Sequence, residues 1–324
     1  MNRTAIVAIV IGLALAATLL ATNDLGAIWA ALKGAGWGIL IVIALHVPQT
    51  VFSALGWRPL IAGQSRFGTL YLLRWVRESV NSLLPVAQIG GDLARARLLG
   101  QRGVALKDAV ASCMVDLSLE TVAQALFTLM GAALLLGGAH DAHALEIGFG
   151  MVAGMAAIAI GFVVAQRFGL FKLVERLVGR WSEKHGGQIG DLTGLNDAVV
   201  GLYRQPRRLG WSTLFHLGSW IAGILETYAA LRILGLHPGW REAAIIESLG
   251  QAVRAAGFLI PGALGVQEGG LVLIGGIFGI VPGTALALSL IRRIRELALG
   301  LPGLAVWQRM EKASAKDEGS MTSA

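Results

Sequence analysis

The chain has little that a water-soluble domain needs. Only 15% of its 324 residues are charged and 55% are hydrophobic, whereas a soluble domain carries roughly a quarter charged residues. So little polar surface cannot coat a globule of this size, which excludes a soluble protein. Cysteine is almost absent. Cys113 stands alone, which excludes an internal disulfide and a cysteine metal cluster. Also missing are a phosphate-binding glycine loop with lysine, a serine nucleophile elbow and a zinc-helix motif. Nothing in the sequence demands an enzyme, a cofactor or a metal. The net charge of +7 has no compact basic domain to carry nucleic-acid binding; it reads instead as basic loops facing anionic headgroups.

What is present is a series of long apolar runs. Residues 5–21, 37–55, 145–164 and 211–231 approach or reach the ~20 residues that cross a hydrocarbon core as a helix. The first run, after Arg3, has the outline of a signal peptide, but a second apolar run follows closely, and a retained helix is the reading adopted. Positive charges set the orientation. Arg58, Arg66, Arg74, Arg77, Arg95, Arg97, Arg102 and Lys107 fall in 57–108, and eight more lysines and arginines fall in 166–208. The segment 22–36, read as a loop, is neutral, and 137–146 has two acids and no Lys or Arg. Both termini and the two basic stretches are therefore expected in the cytoplasm.

The expected fold is an all-α integral membrane protein of about six spanning helices plus two re-entrant helical hairpins. Residues 1–308 form one polytopic domain with a cytoplasmic stretch at about 166–208, and 309–324 form a polar cytoplasmic tail. Runs 67–86 and 242–281 begin and end on one side, so each reads as a hairpin. In one, Arg77 precedes Pro85, followed by Gly90, Gly91 and Asp92; in the other, Arg254 precedes Pro261, followed by Gly262, Gly265 and Glu268. Entry from opposite faces would make them inverted repeats, against the competing explanation that Pro and Gly recur by chance in broken helices. Between them, Phe171, Val174, Leu177, Val178 and Trp181 form one face of an interfacial helix.

Charged groups at a membrane helix centre cost about 2.5–3.5 kcal/mol on insertion scales, so stripes of them need a reason. Three occur at helical spacing: Arg74, Arg77, Glu78 and Asn81; Asp116, Glu120 and Gln124; and Glu247, Gln251 and Arg254. Either they pair internally and lock the bundle, or they line a cavity for a headgroup. Arg292, Arg293, Arg295 and Glu296 lie on the last helix, read as 284–307, at a depth the sequence leaves open. His46, Pro48 and Gln49 break the second span. His140, Asp141, His143 and Glu146 have spacing that suits a metal, but they read as an ordinary polar loop.

The run from Trp75 to Asp92, with Arg77-Glu78-Ser79-Val80-Asn81-Ser82-Leu83-Leu84-Pro85 and Gly90-Gly91-Asp92, resembles the hopanoid-biosynthesis-associated membrane proteins. These are a branch of the lysylphosphatidylglycerol synthase transmembrane-region superfamily, also called flippase-like. Asp116 and Glu120, and the stretch Pro261-Gly262-Ala263-Leu264-Gly265-Val266-Gln267-Glu268, extend the resemblance over most of the chain. It implies a lipid flippase or transporter of a bacterial inner membrane, with hopanoid or phospholipid-like lipids and lipid-biosynthesis proteins as partners. By motif position it implies a substrate-binding role for Arg77, Glu78, Asn81, Pro85, Gly90, Gly91, Asp92, Asp116, Glu120, Pro261, Gly262, Gly265 and Glu268. The stripe residues Gln124, Glu247, Gln251 and Arg254 complete the candidate set. A non-transporting hopanoid-binding scaffold, and a headgroup enzyme using Asp116 and Glu120, remain the alternatives. In a Cys113→Ser background, single cysteines at 142 and 239 should label with an impermeant thiol reagent in whole cells, and those at 102 and 184 should not. Labelling at 184 or protection at 142 would reverse the orientation.

Overall fold

The computed structural model describes residues 18, 25–61, 63, 65–84, 90–137, 150, 153–154, 194–257 and 260–321. Among these, every regular element is helical: α1 (Leu25–Ala35), α2 (Gly38–Trp57), α3 (Phe67–Leu83), α4 (Gly90–Gly100), α5 (Leu106–Leu136), α6 (Leu195–Tyr203), α7 (Pro206–Ile233), α8 (Trp240–Ala256), α9 (Val266–Ile277) and α10 (Pro282–Met321). Single 3-10 turns at Arg58–Leu60 and Pro261–Ala263 follow α2 and precede α9. The expected first span, most of 145–164, the interfacial helix at 171–181, the 140–146 loop and Pro85 lie outside the described residues.

Two expectations change. The segment read as a neutral loop at 22–36 contains α1, because Ile28, Leu32 and Ala35 recur on one face and bury against the bundle. The last helix does not stop at 307. It runs to Met321, and Trp307 donates to Glu311 one turn on (3.2 Å).

Helix α2 packs along α7 over most of its length. Their direction follows from the partners: His46 meets Glu226 and Ser53 meets Ser219, while Gly56 abuts His216 and Gly38 abuts Ile233. Numbers rise on α2 as they fall on α7, so the two are antiparallel. Helix α5 runs parallel to α7, since Asp116 meets His216 and Phe127 stacks on Trp220 at 6.0 Å.

The neighbour relations of the first five helices recur in the last five. Helix α3 packs on α4 as α8 does on α9, α4 on α5 as α9 on α10, and α2 on α3 as α7 on α8. Across the halves, α3 and α1 pack on α10, and α8 and α6 pack on α5. Two apolar clusters carry this arrangement, one around Trp57, Leu73, Leu99 and Val115, the other around Val42, Leu231, Ile245 and Ile291.

The outer surface is apolar as well. Trp37, Trp211 and Trp240 are 86%, 50% and 55% exposed, and Leu40, Ile41, Leu126, Leu214 and Ile221 also face outward. Trp211 begins the apolar part of α7. Trp37 sits beside its C-terminal end, where Gly38 meets Ile233, and Trp240 stacks on Tyr228. Between Trp211 and Ile233 a helix rises about 33 Å, close to the ~30 Å hydrocarbon thickness, with tryptophans near both ends as at membrane interfaces. Helices 38–60 and 106–136 are long and apolar enough to cross a membrane by composition.

Close helix approach rests on small residues. A Cβ added at Gly131 of α5 would lie 1.7 Å from the Ser248 hydroxyl of α8. Gly131→Leu should therefore destabilise the bundle by about 1–3 kcal/mol through overpacking, and Gly131→Ala should be partly rescued by Ser248→Gly. Thermal unfolding in detergent checks this; an unchanged midpoint in Gly131→Leu would show that α5 and α8 do not meet this closely.

Candidate functional site

The three stripes bury their charges in two clusters. In the first, Arg74 on α3 is fully buried and reaches three carboxylates. Its Nε donates to Glu78 (3.2 Å), Nη1 to Asp116 (3.2 Å) and Nη2 to Glu120 (2.5 Å). Arg77, one turn on, donates to Asp92 (3.2 Å) and pairs with Glu120 (3.0 Å). Arg95 on α4 ties Asp92 and Asp116 together, each at 2.7 Å, and lies over the Trp57 ring. The His216 imidazole of α7 closes the cluster at 2.8 Å from Asp116. Thr50 of α2 donates to Glu78 (3.0 Å).

Glycine is required where α4 enters. A Cβ at Gly91 would fall 2.3 Å from the Arg77 carbonyl, and the Gly91 N–H donates to the Asn81 side-chain oxygen (2.8 Å). The α3–α4 hairpin is thus drawn together backbone to backbone. Gly90 begins α4 beside it.

The second cluster joins α7, α8, α9 and α10. Glu247 accepts from Arg292 (2.6 Å), Thr227 (2.5 Å) and Gln251 (2.7 Å). Arg254 donates to Gln267 (3.1 Å) and Glu296 (2.5 Å). Glu268 accepts from Ser289 (3.0 Å), Arg293 (3.1 Å) and the Gly265 N–H (2.7 Å). Gly262 has φ +61°, a left-handed conformation that suits glycine, and its carbonyl accepts from Arg293 (2.6 Å). Pro261 forms the 3-10 turn before it. Arg295 pairs with Glu226 on α7, whose other oxygen accepts from Gln49 (2.5 Å) and meets His46 (2.9 Å).

The clusters are comparable but not identical. Arg77 reaches Glu120 on α5, and Arg254 reaches Glu296 on α10. Asp92 and Glu268 are each the third residue of the returning helix, where a helix N-terminus favours negative charge. Beside them the signs invert: Arg74 on α3 faces Asp116 on α5, whereas Glu247 on α8 faces Arg292 on α10.

Each described candidate falls in one cluster or the other except Gln124, which donates to the Gln251 carbonyl (3.1 Å) and links α5 to α8. Sequence reasoning missed Arg95, His216, Glu226, Gln267 and Ser289. Arg95 reads from the sequence as one of the basic residues of a cytoplasmic stretch, yet it is fully buried and ion-paired. Glu226 did carry a signal, a lone acid within an apolar span. Arg292, Arg293, Arg295 and Glu296 do not reach toward an interface: all four have ion-pair partners inside the bundle. Among the described residues no group of His, Cys, Asp and Glu could hold a metal.

An all-helical bundle with an apolar exterior and paired charges inside it defines an integral membrane protein. The family described as the lysylphosphatidylglycerol synthase TM region matches residues 5–303, nearly the whole chain, and the protein belongs to that family. No curated protein matches it. The family places the chain with membrane proteins related to lipid-headgroup metabolism or transport.

Removing one member of a buried pair leaves an uncompensated charge and costs about 3–5 kcal/mol. Glu226→Gln, which leaves Arg295 only the longer contact to Glu296 (3.7 Å), should show a loss of this size in detergent unfolding. Arg97→Gln, at an exposed pair with Glu311 (3.6 Å), should change stability by under about 1 kcal/mol. Equal effects would mean that the inner cluster is solvated.

Proposed function

We propose that this protein is a lipid flippase or lipid transporter of a bacterial inner membrane, serving hopanoid or other polar-headed lipid metabolism. The observation that carries the proposal is the pair of buried charge clusters, each mounted on a helical hairpin and braced by a long helix. A headgroup crossing a bilayer loses its water and needs replacement partners. Arginines suit phosphate or carboxylate, and carboxylates suit amines or hydroxyls. In this reading the hairpins α3–α4 and α8–α9 are re-entrant. The antiparallel α2 and α7 relate the two halves as inverted repeats, the plan of alternating-access transporters. Rocking about the α2–α7 seam would open one cluster at a time. Both termini face the cytoplasm, and lipid-biosynthesis proteins are the natural neighbours.

The bundle moves lipid and does not make it. What supports this reading is that both clusters consist of mutually paired arginines and carboxylates, groups suited to binding a headgroup. Deleting the gene should leave the lipid inventory intact while changing how one lipid distributes between leaflets or membranes. Purified protein in liposomes should accelerate transbilayer exchange of that lipid, and Asp92→Asn or Glu268→Gln should slow it at least tenfold. Loss of one lipid species on deletion, with conversion of its precursor by purified protein, would replace transport with catalysis. Tight hopanoid binding without exchange would favour the scaffold.

A further inference from the structure

A cavity of about 360 Å³ lies where α2 gives way to α3, lined by Arg58, Ile61, Gly63, Ser65, Arg66 and Leu70. Arg58 opens the 3-10 turn that follows α2, and Arg66 immediately precedes α3, so each end of the connection contributes one guanidinium. Both side chains are exposed, and among the described residues neither has a carboxylate partner. The deeper arginines of α3 differ: Arg74 and Arg77 are each shared among carboxylates. Arg66 does not cap α3 with its side chain. The N–H groups of the first turn, which have no partner within the helix, therefore add partial positive charge beside it. Ile61 and Leu70 are buried and close the floor.

The cavity sits at the depth of a lipid phosphate. Gly56 abuts His216 on the antiparallel α7, so the residues after Arg58 come level with the first turns of α7. Leu209 accordingly packs on the apolar cluster that holds Leu60, Ile61 and Leu70. Trp211, half exposed, marks the membrane interface at that level. Phosphates of anionic lipids are the anions concentrated there. The lining has two arginines and no acid, so it suits a phosphate and offers nothing to the amine of a zwitterionic headgroup. Arg66, Leu70 and Arg74 stand at i, i+4 and i+8 on one face of the chain entering α3. The cavity is therefore at the head of the stripe that carries the first charge cluster, with Leu70 between them and Arg74 one turn, about 6 Å, beyond it.

We propose that Arg58 and Arg66 form a binding site for the phosphate of a phospholipid that carries net negative charge, and that this site is the entry point to the first charge cluster. The entry role rests on the translocation reading above; the binding does not. Two guanidiniums held at the ends of one short connection grip the phosphate oxygens from both sides, and the first turn of α3 adds its dipole. The phosphate then has Arg74 and Arg77 as its next partners along the same helix.

The full chain with the photo-crosslinker p-benzoylphenylalanine in place of Ser65 is irradiated in vesicles of equal parts phosphatidylglycerol and phosphatidylcholine. The proposal expects phosphatidylglycerol to be captured at least threefold above its share. This preference should be lost in Arg58→Gln/Arg66→Gln and kept in Arg309→Gln/Lys312→Gln, which removes the same charge from exposed positions of α10 outside the cavity. Capture in proportion to the vesicle, a preference that survives Arg58→Gln/Arg66→Gln, or an equal loss in the α10 variant would overturn it. Inorganic phosphate added at matched ionic strength separates lipid from free anion: capture should stay within twofold, and displacement of the lipid would overturn the lipid assignment in favour of a soluble phosphate. The entry role is read by exchange of labelled phosphatidylglycerol across the bilayer. Arg58→Gln/Arg66→Gln should raise the lipid fraction giving half the maximal rate at least threefold and leave the maximal rate within twofold; an unchanged half-saturating fraction overturns that role. Wild-type protein that moves no lipid would remove the translocation reading and the entry role together, and the crosslinking arm would still decide whether the site exists.

Discussion

Everything in this structure answers to the cost of holding charge away from water. In a low-dielectric interior an unpaired ion is destabilising by several kcal/mol, and the chain buries a dozen charged or imidazole side chains in two places. Arg74, Arg95 and Asp116 are at most 1% exposed. That is tolerable only because these guanidiniums are divided among carboxylates on different helices: Arg74 spans α3 and α5, and Arg95 ties α4 to α5; Arg295 likewise ties α10 to α7. The ion pairs therefore fix which helices are neighbours. In the transport reading proposed above, a headgroup charge would replace one partner of a shared set, so that these contacts break as units.

Division of charge among several elements also explains the glycines and small residues. Helix α4 can bring Asp92 to Arg77 only if its first turn lies against the α3 backbone, and Gly91 is what allows that approach. At the second hairpin, Gly262 and Gly265 adopt positive φ so that the chain can turn into α9 and set Glu268 against Arg293. These positions are constrained by sterics, and the charges they bring together are constrained by electrostatics. A substitution at either level should damage the other.

The helical class, the long apolar runs and the three stripes were legible in the sequence, because periodicity and composition act locally. Arg77, Asp92, Asp116, Glu120, Glu247, Arg254 and Glu268 came from spacing and resemblance, and the structure brings them into clusters. What the sequence hid was non-local. Arg95 reads as a cytoplasmic loop charge until α4 folds against α5. Glu226 reads as an isolated acid until α10 delivers Arg295. The sign inversion between Arg74–Asp116 and Glu247–Arg292 weakens any repeat search that matches residue types. Helix α1 was missed because a short amphipathic segment has no signal as strong as a spanning run.

The central claim is that the buried clusters serve as replacement partners for a headgroup that has left water. Native mass spectrometry of the purified protein tests it most directly. The account predicts that one polar-headed lipid class is retained by wild-type protein, above its share of the membrane, and is lost from folded Arg77→Gln and Arg254→Gln variants. Lipid retained at bulk proportions, and equally by wild type and both variants, would contradict it.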